Sequence, residues 1–273
     1  MRTKKGLSPM NVLIGWLSKN SKKVNILLLI LLALITLVAL KFIIKDTDYC
    51  YYASQAIYIV GTLILFYKLF THKNCSGVSL KTQELMALFL VARLCCSMVL
   101  TEANIHTTID LTSLLSVLLV IWMIRFKLKS SYIKELDTIK LHYVIVACAV
   151  LAIVVHPHTG HFRIYGTFWS FSVYLEAISV LPQLRYMQNA KLIEPMTGKY
   201  VFALGLSKFL GLANWIIQIY ETRGEYFFLD GGGYFWYLIG FIAEMVQSFI
   251  LADFCYYYIK SFMQGRLLKK MPV

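Results

Sequence analysis

Charge is scarce in this chain, and acid is scarcer than base. Only 15% of its 273 residues are charged, with 14 Asp+Glu against 27 Lys+Arg. An ordinary soluble domain is about 25% charged, so the chain lacks the surface of one. Cysteine is also sparse. Of the six, Cys95, Cys96, Cys148 and Cys255 fall inside apolar runs, Cys75 in a loop and Cys50 at the edge of a run. That placement excludes an extracellular disulfide framework and leaves them as small apolar helix residues. The glycine cluster Asp230–Gly233 follows no strand, so it reads as a flexible turn and not a phosphate cradle. No nucleophile–base pair and no secure metal set falls within an apolar run, so the chain is expected to be no enzyme and to carry no cofactor. His156, His158 and His161 lie in an irregular Pro/Gly loop without a helical i, i+4 pair, which suits a solvated loop better than a metal or acid sensor.

Long apolar runs are what the chain has in abundance. It is 59% hydrophobic, with a mean hydropathy of +0.65. A helix of roughly 20 apolar residues crosses the hydrocarbon core, because lipid offers no partner to an unpaired peptide group. The expected spans are 24–44, 50–69, 84–101, 107–125, 141–155, 163–184, 200–220 and 234–259. The run after the basic segment of Arg2, Lys4, Lys5, Lys19, Lys22 and Lys23 is too long for a signal-peptide core and lacks a small-x-small cleavage site, so it reads as an uncleaved anchor.

Most Lys and Arg fall in alternate loops: the N-terminal segment, 68–82, 125–140, 185–199 and the C-terminal tail. The opposite loops hold Lys45, Arg163 and Arg223 beside Glu102, Glu221, Glu225 and Asp230. The positive-inside rule then places both termini in the cytosol. Asn74 heads a glycosylation sequon that this topology would leave unmodified. The net charge of +13 follows from topology and requires no nucleic acid; the bilayer is the expected partner.

Residues 63–93 and 179–208 resemble each other. Each copy is a span ending in a basic turn, followed by a span with a cation one or two turns in, Arg93 or Lys208. The copies start four spans apart and therefore run parallel, as in two like-oriented triple-helix bundles joined by a linker helix, with a site between them. Pro182 removes a helix donor, so the span around it either ends or bends there. A bend would permit rocking, with Gln183 re-satisfying freed carbonyls.

Four segments carry a family resemblance: CSGVSLKTQEL at 75–85, WSFSVYLEAISVLPQL at 169–184, YVFALGL at 200–206 and ADFCYYY at 252–258. Together they resemble the KDEL receptors, which retrieve escaped endoplasmic-reticulum residents. The resemblance covers about 47–270 and is similar to the plant-type receptor-like branch with an extra N-terminal span. It implies an all-α integral membrane protein. The core would be a seven-helix domain over 47–273, in two parallel triple bundles of the PQ-loop, SWEET-like kind. Residues 1–46 would be a basic segment and added anchor.

The resemblance also implies a site. Arg93 corresponds to an arginine that receives the ligand's terminal carboxylate region. Trp169, Glu176, Asn214 and Trp215 correspond to residues around the cavity, and Asp253 to a polar residue of the last helix. Other positions depart from the family. Tyr51 stands for an arginine, Tyr58 for the pH-sensing histidine and Gly166 for a glutamate. Ser207 and Gly211 stand for two tyrosines, and Lys208 and Gln218 for two arginines.

Intramembrane charge costs about 2.5–3.5 kcal/mol per residue, so each charged group requires a partner or a purpose. A carboxylate held by Arg93 and Lys208 and balanced by Glu176 is one reading; a structural ion network is the other. Gln183 and Asp253 are read as structural polar residues, and Glu244 as lying near an interface. Asn214, Trp215 and Gln218 share a helix face with Lys208. The expected function is an early-secretory receptor at the endoplasmic reticulum and Golgi, binding a C-terminal peptide carboxylate on the lumenal side. The alternative is a small-solute transporter on the same scaffold. Lys269 and Lys270 offer a weak dibasic signal for a vesicle coat.

Overall fold

A computed structural model describes residues 48–100, 105–157, 163–190, 193–223 and 236–264. The expected anchor at 24–44 and the tail lysines 269 and 270 lie outside them, as do His158, His161 and the glycine cluster. The described residues are helical and contain no strand. We label the helices α1 (Asp48–His72), α2 (Leu80–Leu100), α3 (Ile105–Trp122), α4 (Leu141–Val154), α5 (Arg163–Ile178), α6 (Leu181–Asn189), α7 (Pro195–Glu221) and α8 (Trp236–Met263). A π-helical turn, Met123–Lys127, extends α3.

Five of the described segments are long and apolar enough to cross a bilayer: Tyr49–His72, His106–Lys127, Ile164–Asn189, Pro195–Glu221 and Trp236–Met263. Helix α2 has the 21 residues of a span, with Lys81 and Glu84 in its first turns and the side chain of Arg93 only 14% exposed. One expected span differs. Helix α4 is apolar but has only 14 residues. At 1.5 Å per residue that is about 21 Å, short of a roughly 30 Å core.

The packing shows the repeat. Helix α3 packs against both α1 and α2, and α8 against both α5 and α7. These are two triple bundles built alike, with α4 lying against α5 as the connector. The bundles meet at two equivalent seams, α1 on α7 and α2 on α5. The α1–α7 seam is close because its residues are small. A Cβ placed on Gly61 would lie 3.0 Å from Ala203 Cβ, and the Ser54 hydroxyl donates to the Ser207 carbonyl at 2.9 Å. Small residues let helix backbones approach where no hydrophobic force drives them together.

Both seams are pinned at the same end. On α1, Lys68 is fully buried, pairs with Glu194 and donates to Thr197 Oγ1 at 2.7 Å and to the Ser76 carbonyl at 2.5 Å. On α6, buried Gln183 accepts from Ser79 N at 2.9 Å and donates to the Gly77 carbonyl at 2.8 Å. Gly77 occupies φ +83°, the left-handed region that favours glycine, and a Cβ there would sit 3.1 Å from Thr197 Oγ1. The first span of each bundle thus grips the start of a helix in the other: α1 that of α7, and α6, which continues α5, that of α2. This corrects two expectations. Lys68 is no loop charge, and Gln183 serves another helix's turn instead of its own chain.

Neighbouring loops support this end. Asp137 accepts from Ser79 Oγ at 2.9 Å, Tyr132 OH at 2.7 Å and Lys81 N at 3.2 Å. Cys75 donates its thiol to the Leu128 carbonyl at 3.3 Å, and burial pushes that thiol above its ordinary pKa, so it stays protonated and inert.

Candidate functional site

The chain breaks between Ile178 and Leu181, where Pro182 enters the first turn of α6. At the break the carbonyl of Glu176 accepts from Ser179 N at 3.2 Å, from Ser179 Oγ at 2.8 Å and from Gln247 Nε2 of α8 at 2.9 Å. The bend proposed at Pro182 therefore falls immediately after the acid that organises the site.

Glu176 takes one cation from each bundle. Its Oε2 accepts from Arg93 Nη1 at 3.1 Å, and its Oε1 accepts from Lys208 Nζ. Arg93 and Lys208 sit at the same distance from the starts of α2 and α7, as the repeat requires. Arg93 also makes a planar two-bond pair with Asp110 on α3, from Nε at 2.9 Å and Nη2 at 2.6 Å. Its guanidinium lies 5.5 Å from the Phe89 ring centroid. The side chains of Arg93, Asp110, Glu176 and Lys208 are between 5% and 14% exposed. At such burial the forked Arg–carboxylate geometry supplies directional bonds that offset desolvation.

Glu244 joins them from α8 instead of lying at an interface. Its charged neighbours are Lys208, Glu176 and Arg93. Its Oε2 is buried without a hydrogen-bond partner among the described residues. A Cβ added to Gly211 would stand 3.8 Å from both that oxygen and Ser54 Oγ, so Ser54, Gly211 and Glu244 border one space. Tyr51 lines the edge nearest Arg93, with its ring 4.8 Å from His106.

Other candidate residues are dispersed. Asn214 is buried beside this group, and its Oδ1 lacks a partner. Trp215 packs on α8, 6.4 Å from the Phe241 ring and against Gly240. Trp169 is 38% exposed and stands two turns before Glu176 on α5. Asp253 is exposed on α8. Tyr58 is buried in the core, its hydroxyl on Met86 Sδ at 3.8 Å. No side chain fits at Gly166 without movement, because its Cβ would meet the Pro157 carbonyl at 2.5 Å.

Sequence reasoning missed Asp110, although it is the only acid in the expected span 107–125, and that solitude was the available signal. Among the described residues no group of His, Cys, Asp and Glu could hold a metal.

Two like-oriented triple bundles meeting on a shared, buried ion cluster define a polytopic helical membrane protein with a charged site between its halves. Residues 74–218 match the sequence profile of the ER lumen protein retaining receptors. An ER lumen protein-retaining receptor of Petunia hybrida is 33% identical over 219 residues, 80% of this chain and 96% of the relative. Receptor A of Arabidopsis thaliana is 34% identical over 220 residues, with the same coverage. The receptor of Dictyostelium discoideum is 33% identical over 223 residues, again 80% and 96%. The chain belongs to the ER lumen protein-retaining receptor family.

Proposed function

We propose that this protein is a sorting receptor of the early secretory pathway, resident in endoplasmic reticulum and Golgi membranes. It binds lumenal proteins through a C-terminal carboxylate at Arg93 and Lys208, for retrieval from Golgi to endoplasmic reticulum. The observation that carries this reading is the convergence of one cation from each bundle on Glu176. Such cations suit an incoming carboxylate that exchanges for an internal one. Asp110 and Glu176 cap them in the free protein, so ligand has to displace a carboxylate to enter. With Tyr51 and Gln218 in place of cations, the pocket offers fewer charge-assisted bonds than the resemblance implies. Lys-Asp-Glu-Leu binding is correspondingly weak.

The test titrates C-terminal tetrapeptides with free carboxylates against the full chain and Asp110→Asn. Freeing the guanidinium fork is expected to tighten binding about tenfold, since one charge-assisted bond contributes about 1.5–3 kcal/mol. Unchanged or weaker binding by Asp110→Asn would refute the exchange. Peptide accumulation inside liposomes would point to the transporter instead.

Both termini are placed in the cytosol on the positive-inside pattern. A tag at the N-terminus is expected to be digested by protease added to sealed microsomes, and protection of that tag would reverse the topology.

A further inference from the structure

Helix α1 packs on α7 and α3 and keeps one bare face. That face is a single file. From Tyr49 through Ala53, Ala56 and Val60 to Phe70, exposed residues recur at alternating intervals of four and three, and no exposed residue lies off that line. Alternating fours and threes are the period of a seam between two helices. The exposed face of α3 differs. It is two residues wide, with Leu111 beside Thr112 and Leu118 beside Leu119, and α3 contains no alanine. That is a face suited to lipid.

The segment 24–44 carries a matching file in its sequence. Asn25, Leu29, Leu32, Thr36, Ala39 and Ile43 recur at the same alternating intervals. Run antiparallel, the two files pair Ala39 with Ala53, Thr36 with Ala56, Leu32 with Val60 and Asn25 with Tyr67. The residue numbers of each pair add to one constant, as antiparallel neighbours require.

We propose that residues 24–44 form a helix packed antiparallel on this face of α1, with Thr36 on Ala56. The link supports it. Only Lys45–Thr47 separates the segment from α1. Fully extended, the chain from Ile44 to Asp48 covers at most about 14 Å, little more than the roughly 8–10 Å between packed helix axes. A link of this length joins antiparallel neighbours. The small residues support it too. Ala39 and Thr36 meet Ala53 and Ala56 in the half nearest the link, where the backbones come closest. At the far end the Asn25 amide meets the exposed Tyr67, a polar partner within an apolar span. The docked helix backs the helix that carries Ser54, Gly61 and Lys68, whatever ligand the receptor takes.

The test is disulfide crosslinking of the full chain in membranes, with Cys95→Ala throughout because Cys95 is the exposed native thiol. Two pairs in register, Thr36→Cys with Ala56→Cys and Leu32→Cys with Val60→Cys, are oxidised with copper phenanthroline. Linked peptides are quantified by mass spectrometry, and thermal unfolding of the reduced variants checks that each folds. A disulfide requires Cα atoms within about 7 Å. Leu32→Cys with Ala56→Cys is four residues out of register, about 6 Å along the axis, and is expected to link at least tenfold less. Thr36→Cys with Leu111→Cys reads the neighbouring helix, since Leu111 lies five residues past the His106 that stacks on Tyr52. It is also expected to link at least tenfold less. Folded in-register variants that fail to link would leave the face to lipid and overturn the proposal. Links joining two chains would give the face to a second copy, and preference for Leu111 would seat the segment on α3. Either result overturns it as well.

Discussion

Arg93→Ala is expected to lower stability by about 3–5 kcal/mol, the scale for breaking a buried pair from one side. The cause is what remains. Asp110 loses both of its bonds from the guanidinium, and Glu176 keeps only Lys208. Asp110, Glu176 and Glu244 would then face Lys208 as the one remaining cation of the cluster, in low dielectric. Thermal unfolding in micelles would show the loss, and carboxylate binding should disappear with it. The double variant Arg93→Met with Asp110→Leu separates the two roles. Removing both charges is expected to recover most of the stability, since an apolar pair of similar volume can replace a buried ion pair. Binding should not recover. If binding returns with stability, the arginine holds the helices and another group receives the ligand.

Lys68→Ala is expected to have the next largest effect, about 2–3 kcal/mol. The figure is below the scale for a fully buried pair because Glu194 is 28% exposed and keeps some solvation. The variant also strands Thr197 Oγ1 and the Ser76 carbonyl. Amide hydrogen exchange is expected to accelerate around 73–79 and 193–198 before anywhere else. Pairing Lys68→Met with Glu194→Gln should restore about half the loss. Uniform acceleration across all helices would mean that Lys68 supports the whole core and not one end of a seam.

The repeat made the distance of Arg93 and Lys208 along their helices readable before any coordinates. Position along a helix follows from counting residues. Rotation about the helix axis and the choice of neighbour do not. Asp110 shows the difference: nothing in 107–125 says that its side chain turns toward α2. Trp169 shows it in reverse, standing in a recognisable motif yet 38% exposed. Lys68 was hidden for a related reason. A lysine at a helix end beside a basic turn matches the positive-inside pattern whether it reaches water or, as here, caps a neighbouring helix. Legible in hindsight was the α1 seam itself. Ser54, Gly61 and Lys68 recur at heptad spacing, the interval that keeps residues on one helix face.

The two grips of Lys68 and Gln183 make the molecule a pair of tongs. Both seams are fastened at the turn end, while the charged cluster lies farther along. Counting from the start of α2 to Arg93 at 1.5 Å per residue puts it about 20 Å from the fastened end. A rotation of about 10° about that end would part the halves by about 3.5 Å at Arg93, roughly the width of one ion. The bundles could then stay rigid and still admit or release a ligand. Every such opening would swing Glu176 away from Arg93 and part Ser54 from Ser207, so the ion pairing that a ligand must replace shuts the tongs together with that hydrogen bond. A crosslink across the fastened end should leave binding intact, whereas one across the jaws should trap whatever is inside.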